Sequence, residues 1–315
     1  MRFLISLLLA CAFNATAQTY PVRPVRVLVG FPPGGGTDIM ARFLAPKLAE
    51  YLGQPFVVEN RPGATTNIAS DMVAKAAPDG HTLLFTTSAL AINMSLYKNL
   101  TFDALRDFAP VSVFADSPNL LVAHQSAGAS VKELLARAHA RPDSMNYSSA
   151  GAGTSQHLAG ELFKARTGVK IQHIPYKGTA ASLTAVIAGE VQFSFANVPA
   201  ILGHVRSGRI HALAVLADKR SNLMPDVPTM KEAGVDGVVV PVWYALLAPA
   251  ATPREIVKLL GDATARAARA PDLNQKLIEQ GAEPVGNTPE EFSKLLREEV
   301  TRWAEVVRIS GAKAE

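Results

Sequence analysis

The chain has 315 residues, 48% of them hydrophobic, with 31 Lys and Arg against 27 Asp and Glu and a formal net charge of +4. So mild an excess, with no Lys/Arg cluster, argues against nucleic acid as a partner and is compatible with an anionic small molecule. Cys11 is the one cysteine and lies in the extreme N-terminal segment, so the chain after it has no disulfide, thiolate metal site or cysteine nucleophile.

Residues 1–17 read as a secretory signal peptide. Arg2 is the positive start, Phe3 to Phe13 the short apolar core and Ala15-Thr16-Ala17 a small-x-small cleavage site. The rival reading, a lipoprotein site at Leu8-Leu9-Ala10-Cys11, leaves an unusually short apolar core. No later run approaches the ~20 apolar residues of a spanning helix. The expectation is an exported, soluble product, long enough for about two domains of ~150 residues each.

From Val25 to Ala217 short apolar runs alternate with amphipathic stretches, the pattern of parallel strands covered by helices. The first run (Val25, Val27, Leu28, Val29) leads into Gly30-Phe31-Pro32-Pro33-Gly34-Gly35-Gly36-Thr37-Asp38. A helix is expected from Asp38 to Leu52, with Ile39, Met40, Phe43, Leu44, Leu48, Tyr51 and Leu52 on a 3.6-residue period and Gly53 just past its end. A strand–glycine loop–helix unit is an anion seat. Glycine lets the backbone approach a ligand, and the helix start supplies unpaired N–H groups and the positive end of the dipole. Asp38 is also placed to complement that dipole.

A strand (Phe56 to Glu59), the loop Arg61-Pro62-Gly63, a helix from Asn67 to Ala77 and a strand (Thr82 to Thr86) come next. Thr86, Thr87 and Ser88 stand at a carboxyl edge, where open α/β sheets place ligands and where hydroxyls also cap turns. Ser130-Val131-Lys132-Glu133 has the form of a capping box. Ser148-Ser149-Ala150-Gly151-Ala152-Gly153-Thr154-Ser155 is a second anion seat, again opening a helix, and His157 falls in that helix's first turn, placed to orient the loop. Then come the turn Pro175-Tyr176-Lys177-Gly178 and a strand from Val191 to Ala196, with Asn197 beyond it as a wall of the site or a helix cap. Phe31 and Tyr176 suit the apolar part of a cleft or a core position equally.

Late in the middle region Thr229-Met230-Lys231-Glu232 has the form of a further capping box. The last third has few strands and strong helix-start signals: Thr252-Pro253-Arg254-Glu255 and Thr288-Pro289-Glu290-Glu291 each combine an N-cap threonine, proline at the first helical position and glutamate at N3. The final helix gathers Phe292, Leu295, Leu296, Trp303, Val306 and Val307 on one face, to pack back on the first domain. Asn119 to His124 and Val238 to Trp243 are apolar extended segments suited to cross between domains.

Taken in order, several stretches resemble the Bug-type solute receptors of tripartite tricarboxylate transporters, a branch of the type II periplasmic binding proteins. They are Gly30 to Asp38, Asn60-Arg61-Pro62-Gly63-Ala64, Ala76-Ala77-Pro78-Asp79-Gly80, Gly153-Thr154-Ser155-Gln156-His157-Leu158, Pro175 to Gly178, Ala212-Leu213-Ala214-Val215, and Pro225-Asp226-Val227-Pro228-Thr229 followed by Glu232-Ala233-Gly234. The resemblance covers essentially the whole chain after the signal peptide. It implies an α/β, two-lobed periplasmic binding protein-like fold (type II), with mixed sheets flanked by helices and a ligand cleft between the lobes. The corresponding division is lobe 1 at 18–121 and 241–315 and lobe 2 at 122–240. It implies a monomer in the periplasm that encloses a small carboxylate, partly through bridging waters, and serves the membrane components of a tripartite tricarboxylate transporter. Many relatives carry an aspartate where this chain has Ala196, which speaks against recognition of a ligand amino group from that side.

A carboxylate offers only acceptors, so it needs convergent donors rather than an acid or base. The expected ligand-binding residues are Phe31, Gly34, Gly35, Gly36, Thr37, Asp38, Thr87, Ser88, Ser149, Gly153, Thr154, Ser155, His157, Tyr176 and Asn197. Amides at Gly35, Gly36, Thr37, Gly153, Thr154 and Ser155 are the main donors. Four charge-assisted bonds give roughly 6 to 12 kcal/mol gross, hence micromolar binding after association costs. The chain has no Walker lysine, GxGxxG, GxSxG or HExxH, so no cofactor, metal or catalytic role is expected. The competing reading is an exported hydrolase or transferase on the same scaffold.

Overall fold

The computed structural model describes residues 20–314; the expected signal peptide lies outside them. In chain order the first half runs β1 (Val25–Val29), α1 (Gly36–Leu52), β2 (Phe56–Asn60), α2 (Asn67–Ala74), β3 (Thr82–Thr87), α3 (Ala89–Leu96) and β4 (Phe108–Ala123). Then follow α4 (Val131–Ala140), β5 (Asn146–Ser149), α5 (Ser155–Thr167), β6 (Gln172–Pro175), α6 (Thr179–Ile187), β7 (Phe193–Asn197), α7 (Val198–Arg206) and β8 (His211–Val215). The chain closes with β9 (Pro241–Pro249), α8 (Arg254–Arg269), α9 (Pro271–Glu279), β10 (Glu283–Pro284) and α10 (Pro289–Ser310).

The sheet is mixed, in the order β2-β1-β3-β9-β4-β7-β5-β6, with β8 and β10 each pairing β4. The βα units make parallel ladders at both ends, β2-β1-β3 and β6-β5-β7, as the alternating pattern requires. Between them β9 and β4 run antiparallel to their neighbours. Strand β4 serves both halves: Phe108 to Pro118 pair with β9, and Asn119 to Ala123 pair with β7. The return passage reaches β9 through Val240, whose amide bonds Leu216 O.

Each half buries its own apolar cluster, one around Val27, Phe85, Phe114 and Leu246 and one around Leu120, Val186, Ile201 and Val215. A third cluster joins residues of both, from Leu84 and Val113 to Tyr147, Phe195 and Trp243. Helix α10 lies on that shared cluster, against α3, β4 and also α5. Its Phe292, Leu296 and Trp303 are fully buried, and Trp243 meets Phe292 edge-on at 5.5 Å.

Thr288 closes a complete capping box with Glu291. Thr252 does not act as expected: Pro253 is in extended conformation (ψ 137°) and itself occupies the N-cap, so α8 starts one residue later. Ser130 caps α4, but the Glu133 carboxylate accepts from Ala129 N rather than from Ser130 N. Thr229 and Glu232 make both reciprocal bonds, yet they close a turn instead of a helix, ended by Gly234 at φ 91°. Helix α2 stops at Ala74, three residues short of the expected end.

Candidate ligand-binding site

The first glycine loop leaves the carboxyl end of β1 and enters α1 with Gly35 as its extended N-cap. The amides of Gly36, Thr37 and Asp38 form the first turn and have no intrahelical acceptor. Asp38 braces this loop from behind. Its carboxylate accepts from Gly34 N at 3.0 Å, from Arg42 Nε at 3.0 Å and from Asn60 Nδ2 at 2.9 Å. Burial pushes the Asp38 carboxyl up, but these donors outweigh it and hold the group below the ordinary carboxylate range.

The second loop follows β5 in the same way. Thr154 caps α5 by accepting from His157 N at 3.3 Å, and its hydroxyl donates to Gly151 O at 2.7 Å. Two expected donors are already used here. Gly153 N donates to His157 Nδ1 at 3.2 Å and Thr154 N to Gly151 O at 3.3 Å, so the first-turn amides left without an intrahelical acceptor are those of Ser155 and Gln156. His157 therefore positions the loop from beneath. Its ring stacks on His173 at 4.2 Å, His173 stacks on Tyr147 at 4.9 Å, and Ser149 Oγ lies 2.7 Å from His173 Nε2. Burial lowers both histidines, His157 to about 4 and His173 to about 3, which matches an Nδ1 that accepts.

Between the loops is a narrow cavity of about 20 Å³, room for about one water. Its polar wall comes from helix starts: Gly35, Gly36 and Thr37 at α1, Thr154, Ser155 and Gln156 at α5, Thr179 at α6 and Asn197 at α7. Thr87 adds a hydroxyl from the end of β3, and Phe31, Pro32, Ala150 and Val242 supply apolar surface. Among the described residues no charged side chain lines it. Four helix N-termini facing one small neutral chamber make its potential positive without a fixed cation. That chemistry suits an anion with several acceptor oxygens.

Of the expected site residues, Phe31, Gly35, Gly36, Thr37, Thr87, Thr154, Ser155 and Asn197 meet at this cavity. Gly34, Asp38, Ser149, Gly153 and His157 do not line it: Gly34 is exposed, and all five are taken up in the loops' own hydrogen bonds. Ser88 is fully buried ahead of α3, and Tyr176 is half-buried against the cluster of the second half. Sequence reasoning passed over Gln156 and Thr179. Gln156 ties the wall together, its Oε1 accepting from Ala150 N at 2.8 Å and its Nε2 donating to Thr179 Oγ1 at 3.0 Å. Gly178-Thr179 repeats the glycine–hydroxyl pairing of Gly36-Thr37 and Gly153-Thr154 at a helix start, a signal legible in the sequence. Ala196 is fully buried in the apolar cluster of the second half.

Residues 40–311 match the family model of the tripartite tricarboxylate transporter family receptor, TctC. Protein BugT of Bordetella pertussis is 42% identical over 305 residues, covering 96% of this chain and 94% of that protein. Among solved structures, R. palustris Rpa4515 with adipate superposes with a TM-score of 0.91 at 38% identity, covering 94% of this chain and 100% of that one. MatC (Rpa3494) from Rhodopseudomonas palustris with bound malate gives a TM-score of 0.87 at 33% identity, covering 91% and 100%. The chain thus belongs to the TctC family of tripartite tricarboxylate transporter receptors, in its Bug branch.

Proposed function

We propose that this chain is a periplasmic receptor that encloses a small carboxylate between two lobes and delivers it to the membrane components of a tripartite tricarboxylate-type transporter. The observation that carries this reading is the convergence of four helix starts, drawn from both halves of the chain, on one uncharged chamber. Backbone amides and hydroxyls there bind an anion without transforming it. The lobes are residues 18–121 with 241–315 and residues 122–240, moving as hinged bodies about the passages in β4 and before β9. A chamber of about 20 Å³ has no room for a four- or six-carbon dicarboxylate, so entry requires the lobes to part. Two relatives in the family hold malate and adipate. The ligand-binding residues we assign are Gly35, Gly36, Thr37, Thr87, Thr154, Ser155, Thr179 and Asn197, with Phe31 as apolar wall.

With Ala196 in the core and Asp38 held by Arg42 and Asn60, no carboxylate of the described residues reaches the chamber to pair with an ammonium group. Carboxylates without an amino group are therefore preferred over acidic amino acids. The test is thermal melting of the purified chain with adipate, malate, citrate and glutamate. At one hundred times the dissociation constant a true ligand stabilises by about 2.7 kcal/mol, a shift of a few degrees. Failure of every carboxylate to stabilise, or consumption of the stabilising compound, overturns the reading; the latter outcome favours an exported hydrolase or transferase.

A further inference from the structure

The second glycine loop is gripped from across the cleft. Thr65 Oγ1 donates to Ala152 O, and Tyr97 OH lies 3.2 Å from the same carbonyl and 3.3 Å from Thr65 Oγ1. Thr65 and Tyr97 belong to the part of the chain before β4, whereas Ala152 sits between β5 and α5. The two hydroxyls are therefore a contact between halves and not part of either half's own fold.

Thr65 is presented by unusual backbone. Ala64, Thr65 and Thr66 are consecutive non-glycine residues at φ 43°, 49° and 73°, in the left-handed region that β-branched residues avoid. Such a run persists only where neighbours over-determine it, and strain of this kind gathers at clamps and switches. Here Asn93 supplies the restraint: its Nδ2 donates to Thr65 O at 2.8 Å and to Asn67 Oδ1 at 2.7 Å. The same Asn93 presses on the loop, its Oδ1 lying 2.5 Å from where a Cβ of Gly153 would stand.

We infer that Thr65 and Tyr97 are positioning residues of the binding site, a latch that holds the Ala152 carbonyl from the opposite lobe and so fixes the second anion seat only when the molecule is closed. The consequence for function rests on the proposed reading of that loop as a ligand seat; the latch itself does not. The grip is directional, because Ala152 O can only accept while both hydroxyls can donate, and it is absent when the halves separate. It thus adds to the closed form alone, slowing opening and the escape of whatever is enclosed.

The test exploits the absence of cysteine after residue 17. Spin labels on Lys132→Cys in α4 and Lys258→Cys in α8, both exposed, report the distance between halves by pulsed electron resonance, without ligand and with millimolar adipate. Thr65→Val and Tyr97→Phe each lower the ratio of closed to open molecules by about three- to tenfold, the worth of one neutral hydrogen bond. Thr65→Ser, which keeps the hydroxyl, retains the parent distribution, whereas a general packing defect would not be rescued this way. The ligand-free comparison judges the latch even if adipate moves no protein, an outcome that counts against the proposed function instead. Parent-like distributions for both Thr65→Val and Tyr97→Phe in both conditions overturn the latch, as does a parent with no closed population in either.

Discussion

The side-chain amide of Asn197 occupies the place that a Cβ on Gly36 would need, with Tyr244 OH only 2.9 Å from the same point. Gly36 comes from the first half of the chain and Asn197 from the second, so the close approach of the two halves at this point depends on the missing side chain of Gly36. Gly36 is the first residue of α1, where alanine is otherwise favoured by about 0.5–1 kcal/mol. Because Tyr244 lies in the same half as Gly36, Gly36→Ala should cost the ligand-free protein about 1–2 kcal/mol. It should also weaken ligand binding ten- to hundredfold, because the clash with Asn197 adds overpacking of about 1–3 kcal/mol to the closed form. Asn197→Ala in the same chain should recover part of that loss, a coupling that titration calorimetry on both single variants and the double variant would measure.

Gly35 and Gly153 separate in the same assay. A Cβ on Gly35 would lie 3.8 Å from Thr179 Oγ1, ordinary contact, so Gly35→Ala should bind nearly as the parent does, while the larger Gly35→Val fills the chamber and abolishes binding. Gly153 has φ 87° and faces Asn93 Oδ1. Gly153→Ala should cost about 1–2 kcal/mol of stability even without ligand, a melting point lower by a few degrees, and weaken binding further.

The features read correctly from sequence are local ones. The glycine loops, the α1 period and the Thr288 cap depend on residues within a few positions of one another, and the chain built them as written. Strand β4 is the counterexample: its 16 residues include Pro110 and Pro118, which sequence logic takes as breaks. The sheet accommodates Pro110 at a register shift against β9, between Pro110 and Ser112, and β4 continues through Pro118 to serve both halves. Gln156 and Thr179 were hidden for another reason. The Gly178-Thr179 pairing marks a helix start locally, but the bond that joins Gln156 to Thr179 runs between α5 and α6, 23 positions apart, and no local pattern encodes it. His157 was legible as a loop-orienting residue because the first turn of a helix fixes where its ring can reach.

The stacked histidines make stability depend on pH with a definite sign. His157 is held at about 4 in the folded chain against 6.5 unfolded, chiefly by burial, and protonating Nδ1 would also break its bond from Gly153 N. A base with a depressed folded value leaves the unfolded state holding more protons between those limits, so stability is full above about pH 6.5 and falls as pH drops toward 4. For His157 alone the loss at pH 5 is about 2 kcal/mol, with His173 adding in the same direction. Melting temperature should fall from pH 7 to pH 5 in the parent and less steeply in His157→Gln; parallel slopes would contradict the assignment.

Glu299 fastens the last helix. Its Oε2 accepts from Trp243 Nε1 at 3.0 Å and Trp303 Nε1 at 2.9 Å, and its Oε1 pairs with Arg302 Nε at 3.0 Å. Both indoles are buried, so Glu299→Leu strands two N–H groups and should destabilise by about 2–4 kcal/mol. Glu299→Gln keeps an acceptor oxygen and should cost about 1 kcal/mol. Urea midpoints with an unchanged slope would verify both, the slope showing that α10 stays part of one cooperative unit.

Asp116 on β4 faces Glu283 on β10 in register, two carboxylates directly opposed across an antiparallel pair. Burial, then the Glu283 charge, push Asp116 up to about 6, with Lys219 acting in the opposite sense. Because the folded value is raised above the unfolded 3.8, the folded chain holds this proton better, and ionisation costs stability as pH rises through that interval. Below pH 3.8 the side chain is protonated in both states and the cost vanishes. Asp116→Asn should therefore stabilise the protein by about 1–2 kcal/mol at pH 7 and by nothing measurable at pH 3.5, the reverse of what loss of a favourable ion pair would produce. The two effects of pH then oppose each other: as pH falls from 7 to 5, protonation of Asp116 offsets part of the loss caused by the buried histidines, so adding Asp116→Asn to His157→Gln should steepen the fall in melting temperature that His173 leaves.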